Sequence, residues 1–149
     1  SKFDFVTGEK STSETDWDIA FRGTTICING GTSTGTADEP VRNGNAGAVI
    51  VAGTFDSVTT AQGLSFSQDA EGSFAIPTGS DNGWYNYNPQ TFTITPVPGK
   101  VLVFRTRDGR YAKVEILSYY LDQDSSNTRG GRYYTFNYVF NPNQGETSF

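Results

Sequence analysis

Apolar and polar residues alternate along this chain in short runs, with the period of strands rather than of helices. Lys2-Phe3-Asp4-Phe5-Val6 repeats every two residues, as a half-buried strand does, and Thr7-Gly8-Glu9-Lys10 breaks it. In Trp17-Asp18-Ile19-Ala20-Phe21-Arg22 the same alternation puts Trp17, Ile19 and Phe21 on one face, with Asp18, Ala20 and Arg22 on the other. Gly23 ends that strand, and Thr25-Ile26-Cys27-Ile28 reads as a short buried one. Asn29 through Asn45 is poor in apolar residues and predicts a long surface loop. The apolar run from Ala46 to Ala52 predicts an interior strand. From Gly53 to Gly83 the residues Phe55, Val58, Leu64, Phe66, Phe74 and Ile76 recur without a clean period. Stretches this long with little regular structure are uncommon in compact domains and often carry function.

The C-terminal half has the clearest pattern. Lys100 to Thr106 and Tyr111 to Leu117 flank Arg107-Asp108-Gly109-Arg110, and Asp-Gly at the tip predicts a two-residue type I′ turn. Such a turn pairs Arg107 with Arg110, setting Val103 opposite Val114 and Val101 opposite Ile116 on one face. The other face then carries Leu102 beside Glu115, Phe104 beside Lys113 and Thr106 beside Tyr111. Asp122 to Gly131 is a polar loop, and the chain returns in an aromatic strand with Tyr134, Phe136, Tyr138 and Phe140 on one face. No segment has helical periodicity, and there is no internal repeat.

Composition narrows the chemistry. A chain of 149 residues suits one domain, spanning 1–149, with a core that needs no disulfide. Hydrophobic residues make up only 35%, so the aromatics, at 14%, must carry much of the burial. Net charge is −5 and the basic residues are scattered, which excludes nucleic acid as a partner. Arg105, Arg107 and Arg110 read as solvated strand ends. No apolar stretch approaches the roughly 20 residues of a membrane-spanning helix. The chain begins at Ser1 without a signal peptide, so the expectation is a mature fragment whose export segment lies outside it.

The chain has no histidine, no methionine and one cysteine, Cys27. Imidazole is therefore absent as base, shuttle or ligand, and so is the thioether. Cys27, between Ile26 and Ile28, reads as a buried small apolar side chain rather than a reactive thiol. Asp16 and Asp18 lie two apart and could share a strand face, the equipment of glycoside hydrolysis, but such pairs more often mark a solvated strand edge. No G-x-S-x-G nucleophile motif is present. Asp122 to Asn127 offers oxygen ligands without the glycine and distal glutamate of an EF-hand loop. The expectation from these residues is that the protein is not an enzyme and holds no metal; residue chemistry alone does not name its function.

Trp17-Asp18-Ile19-Ala20-Phe21-Arg22, Ile28-Asn29-Gly30-Gly31, Trp84-Tyr85-Asn86-Tyr87-Asn88, the hairpin from Val103 to Lys113 running on to Tyr120, and Tyr134 to Phe140 follow one another in an order and spacing that span nearly the whole chain. Together they resemble the HmuY family, surface lipoproteins of Bacteroidetes first recognised as haem carriers. The resemblance implies an all-β fold of two packed antiparallel sheets, a hand-shaped β-sandwich whose long loops border a ligand cleft. It also implies a secreted or outer-membrane lipoprotein that serves iron acquisition, with haem as cofactor and a TonB-dependent outer-membrane receptor as partner. By the same analogy Thr54 to Asn88 would border the pocket. The haem-binding members coordinate iron through paired histidines, or methionines in some relatives, and this chain has neither. Haem, or another flat hydrophobic molecule, would then rest on the ring faces of Phe66, Phe74, Trp84, Tyr85 and Tyr87. Tyrosinate can hold ferric haem, but ordinary half-buried aromatics are the simpler reading of Tyr85 and Tyr87. The alternative is a carbohydrate- or surface-polymer-binding module that has lost haem ligation. Asp81 to Asn88, which interleaves aromatics with amides and a carboxylate, suits stacking plus hydrogen bonding.

Overall fold

The computed structural model describes residues 1–149. Its strands are β1 (Lys2–Asp4), β2 (Glu9–Ser11), β3 (Ile19–Arg22), β4 (Thr25–Ile28), β5 (Gly47–Ala52), β6 (Tyr85–Asn88), β7 (Thr93–Pro96), β8 (Lys100–Arg105), β9 (Tyr111–Tyr120) and β10 (Gly131–Asn141). The helical segments are two single 3-10 turns, Leu121–Gln123 and Thr128–Gly130, within the loop from β9 to β10. One four-stranded sheet has the order β2-β1-β3-β4, a second has β10-β9-β8-β5, and β6-β7 stands apart as a hairpin. Every strand pairing is antiparallel. The fold is all-β with two four-stranded sheets, as the alternation and the family resemblance led us to expect.

The main core lies where the sheets face each other. Ile19, Ile26 and Ile28 from the first sheet pack with Leu102, Phe104, Ala112 and Val114 from the second. Aromatic pairs join the layers: Phe3 meets Phe136 edge-on at 5.3 Å between ring centres, and Phe21 lies 4.3 Å from Tyr134. Such contacts let aromatics supply a core that the low aliphatic content would otherwise leave thin.

Four expectations need correction. The hairpin between β8 and β9 is out by one residue: Leu102 pairs with Val114, Val103 with Lys113, Phe104 with Ala112 and Arg105 with Tyr111. A type I′ turn needs positive φ at both central residues, but Asp108 keeps negative φ and only Gly109 turns left-handed, at φ 88°. The loop is therefore three residues long, closed by Thr106 N–H donating to the Arg110 carbonyl at 2.7 Å. Thr106 Oγ1 fixes it further, accepting from Arg110 N–H and donating to Asp108. A one-residue shift exchanges the faces of a strand. Leu102, Phe104, Ala112, Val114 and Ile116 accordingly face the main core, while Val101 and Val103 join Val58 and Ala61 beneath the other face. Lys113 is on that second face, only 5% exposed, with its ammonium over the Phe55 ring at 4.2 Å.

Second, β5 ends the sheet rather than lying inside it. Its free side is partly covered where Ala48 and Ser67 exchange backbone hydrogen bonds. Third, Trp17 precedes β3 and packs with Ala20 and Cys27, away from Ile19. Fourth, Arg107 is not a solvated strand end. Its guanidinium donates to Asp4 Oδ1 and Asp18 Oδ2, both at 3.0 Å, and its N–H donates to Asp18 Oδ1 at 3.0 Å. Asp18 also accepts from Phe5 N–H, and Asp4 from Val6 N–H. Asp18 thus has a structural task, whereas Asp16 is exposed.

Burial is the largest influence on the Asp18 carboxyl and pushes its pKa up, against the pull of the bonds from Arg107 and Phe5. Removing the guanidinium leaves two buried acids without their counter-charge. Arg107→Ala is expected to cost about 3 kcal/mol, read as a lower urea midpoint at unchanged slope, and Arg107→Lys to recover part of it. A loss under about 0.5 kcal/mol, the scale of an exposed pair, would contradict this account.

Candidate functional site

Pairing in the first sheet sets Ser11, Lys2, Ala20 and Cys27 in one row across its strands. Because Ile19, Phe21, Ile26 and Ile28 turn toward the core, the row lies on the opposite face. Ala20 and Cys27 are small, so the floor is low. Phe74 stands at one side and the segment Thr36–Pro40 at another, enclosing a groove of about 810 Å³ with Lys2 and Arg22 in its lining.

The wall formed by Thr36–Pro40 comes from the long loop after β4, and buried polar bonds hold it in place. Arg42, with a side chain 3% exposed, donates through Nη2 to Asp69 Oδ2 at 2.9 Å, through Nη1 to Glu39 at 3.1 Å and through Nε to the Ile28 carbonyl at 3.1 Å. Asp69 also accepts from Ile28 N–H and from Ala75 N–H at 2.7 Å, which fixes the chain next to Phe74. Gly30 lets this loop leave the sheet against the backbone of Ala46; a Cβ there would stand 2.0 Å from the Ala46 oxygen. Arg22 reaches over to donate to the Ala37 carbonyl.

Two ionisable groups, one in the wall and one in the floor, are shifted by their surroundings. Burial alone would raise the Glu39 carboxyl. Hydrogen bonds from Ser33, Thr34 and Arg42, with the Arg42 charge, outweigh it and hold the pKa at about 2. Burial pushes the Cys27 thiol up to about 11, so it is protonated at neutral pH. No three Cys, Asp or Glu side chains come together as a metal site requires.

The aromatic candidates do not share one place. Phe74 lines the groove and packs by Trp17, Ala20 and Cys27. Phe66 lies at the second sheet beside Tyr111 and the Arg105 guanidinium. Trp84 is 2% exposed in the main core, its Nε1–H donating to the Thr24 carbonyl at 2.8 Å, with Tyr85 half-buried against it. Tyr87, 40% exposed, belongs to the β6–β7 hairpin. Ala20, Lys2, Arg22 and Pro40 were not anticipated as lining residues. The adjacency of Ile19–Arg22 and Thr25–Ile28 could have shown Ala20 opposite Cys27. The wall, built from distant segments, left no local signal.

A smaller cleft of about 430 Å³ adjoins the groove, between β1, β3 and the start of β10, and shares Lys2, Phe21 and Arg22 with it. The family model described as HmuY protein matches residues 1–138, whereas no curated protein matches the chain.

Folded Glu39 titrates below its ordinary 4.5, so its stabilising contribution is full above about 4.5 and is lost as pH falls through about 2. Glu39→Gln should flatten the slope of stability against pH across that window; an unchanged slope would contradict the assignment. Alkylation of Cys27 at pH 8 should be on the order of 100-fold slower in the native protein than after unfolding. A difference below about tenfold would show the thiol is not held as described.

Proposed function

The chain belongs to the HmuY family, and from that membership we propose a ligand-binding protein that captures a flat hydrophobic molecule, haem or another porphyrin, for iron acquisition. In this reading residues 1–149 are a single HmuY-like β domain. It is exported and anchored by lipid at the outer membrane of a Bacteroidetes cell, or shed from it, and it delivers its ligand to a TonB-dependent receptor. It binds and carries out no chemistry.

The observation that supports this most is the groove beside Phe74. Its volume of about 810 Å³ lies within the range of small-molecule sites. The Ala20 and Cys27 floor leaves room for a ring, Phe74 offers an aromatic wall, and Lys2 and Arg22 can meet acidic substituents. Of the five aromatics that suggested a site in the sequence, Phe74 is the one this reading uses.

The residues present do not suit coordinated iron. Histidine and methionine are absent. The Cys27 thiol stays protonated at neutral pH, and burial pushes the Tyr119 and Tyr134 hydroxyls up. Tyr134 already donates to the Gly23 carbonyl at 2.7 Å. The grip is therefore assigned to ring faces and charge, which can reach micromolar affinity when several aromatic contacts combine.

Titration with ferric haem tests this. A saturable shift of the Soret band is expected, without the bands of iron held by two strong protein donors, together with quenching of Trp17 beside the groove floor. Phe74→Ala should weaken binding roughly fivefold, matching about 1 kcal/mol for a lost aromatic face. No saturable shift and no quenching would remove the porphyrin reading.

A further inference from the structure

The cleft that adjoins the groove has a composition unlike the rest of the molecule. The chain carries −5 net charge, with 16 acidic against 11 basic side chains. Yet Lys2, Lys10, Arg22 and Arg132 all line this one cleft, and no aspartate or glutamate does. Six ion pairs occur in the protein, and Lys10, Arg22 and Arg132 belong to none of them. Lys2 donates to the Ser13 carbonyl at 3.0 Å and lies 3.6 Å from the largely exposed Glu14 carboxylate, and Arg22 donates to the Ala37 carbonyl. This leaves Lys10 and Arg132 as the cations of the cleft with neither an acidic partner nor a bond to the backbone. Four like charges held around a cavity repel one another, so the arrangement favours an anion between them.

The backbone of β10 is shaped to the same end. Gly131 pairs with Tyr120 and Thr135 with Ser118, so Arg132, Tyr133 and Tyr134 stand against Tyr119 alone. A bulge of this kind re-aims side chains, and bulges are over-represented beside functional sites. Arg132 adopts φ 74°, a left-handed conformation that is uncommon for a long side chain. The bulge brings Arg132 and Tyr133 to the cleft, and Tyr133 is 54% exposed there despite its ring. Phe21 and Phe136 supply further aromatic surface.

We propose that this cleft is a recognition site for a flat organic anion, an aromatic carboxylate, with the ring against Tyr133, Phe21 and Phe136 and the carboxylate taken by Arg132 and Lys10. Arginine suits the role, because its planar donors match the two oxygens of a carboxylate. The site does not depend on the porphyrin reading: Phe74 and Pro40 line only the groove, whereas Lys10 and Arg132 line only the cleft.

The test is calorimetric and NMR titration of the full chain with 2-naphthoate, with 2-naphthamide as the uncharged isostere and inorganic phosphate as the ringless anion. Saturable binding of 2-naphthoate is expected, with shifts at Lys10, Arg132 and Tyr133 and affinity falling as salt rises. Lys10→Gln and Arg132→Gln should each weaken it at least fivefold, with unchanged thermal melts showing that both variants fold, while Phe74→Ala leaves it unaltered. Equal binding of 2-naphthamide, equal binding of phosphate, indifference to both charge removals, or no saturable binding would each overturn the assignment.

Discussion

A single guanidinium ties the two sheets of this protein together. Arg107 sits in the tight loop of the second sheet and bonds Asp4 and Asp18 of the first, across sequence separations of 103 and 89 residues. A buried pair of this type is weak evidence of net stability, because desolvating three charges offsets much of their attraction. Its stronger effect is on geometry. Both carboxylates also take backbone N–H groups, so the guanidinium can dock in only one way, and the sheets meet in that register.

The loop that presents Arg107 decides what each face of β8 buries. With three residues in the turn, Arg107 leaves the ladder and reaches across, whereas a two-residue turn would hold it paired with Arg110. The shift gives Leu102 and Phe104 to the main core, and Val101 and Val103 to the smaller cluster. Strand β8 is thus covered on both faces, which explains its continuous run of Val-Leu-Val-Phe. Lys113 lies beside Val103, and its ammonium answers that cluster by meeting the Phe55 and Phe149 rings and the Phe55 carbonyl.

Much of the fold was legible because strand alternation is a local signal. Ile19–Arg22 and Thr25–Ile28 declare their core faces, and Tyr134, Phe136 and Phe140 do so in β10 despite its bulge. What escaped was decided by partners far away in the chain. Asp-Gly suggested a two-residue turn, but the Thr106 hydroxyl stabilises the longer one. The polar neighbours of Trp84 suggested a surface ring, but the indole finds the Thr24 carbonyl and the core. Thr93–Pro96 ends on a proline, which argues against a strand, and pairs only with β6. The groove wall rests on Arg42 meeting Asp69, 27 residues away, and no pattern in either segment announces the other. The family resemblance could supply an architecture, but not which aromatics would face a cavity.

The scarcity of strong metal donors gives these ion pairs a second meaning. A ligand held by an axial bond keeps its affinity even if the surrounding wall shifts, because one contact dominates. A ligand held by ring faces and charge draws on many weak contacts, each lost over a fraction of an ångström. Affinity then depends on how firmly the wall is fixed before binding, since ordering it afterwards would consume the same energy. Arg42, Asp69 and Glu39 provide that fixing from behind the groove and Arg22 bonds the wall at Ala37, while Lys10 and Arg132 stay outside every ion pair along the adjoining cleft. The cations of this acidic chain thus divide between those bound to hold the frame and those, such as Lys10 and Arg132, that belong to no ion pair.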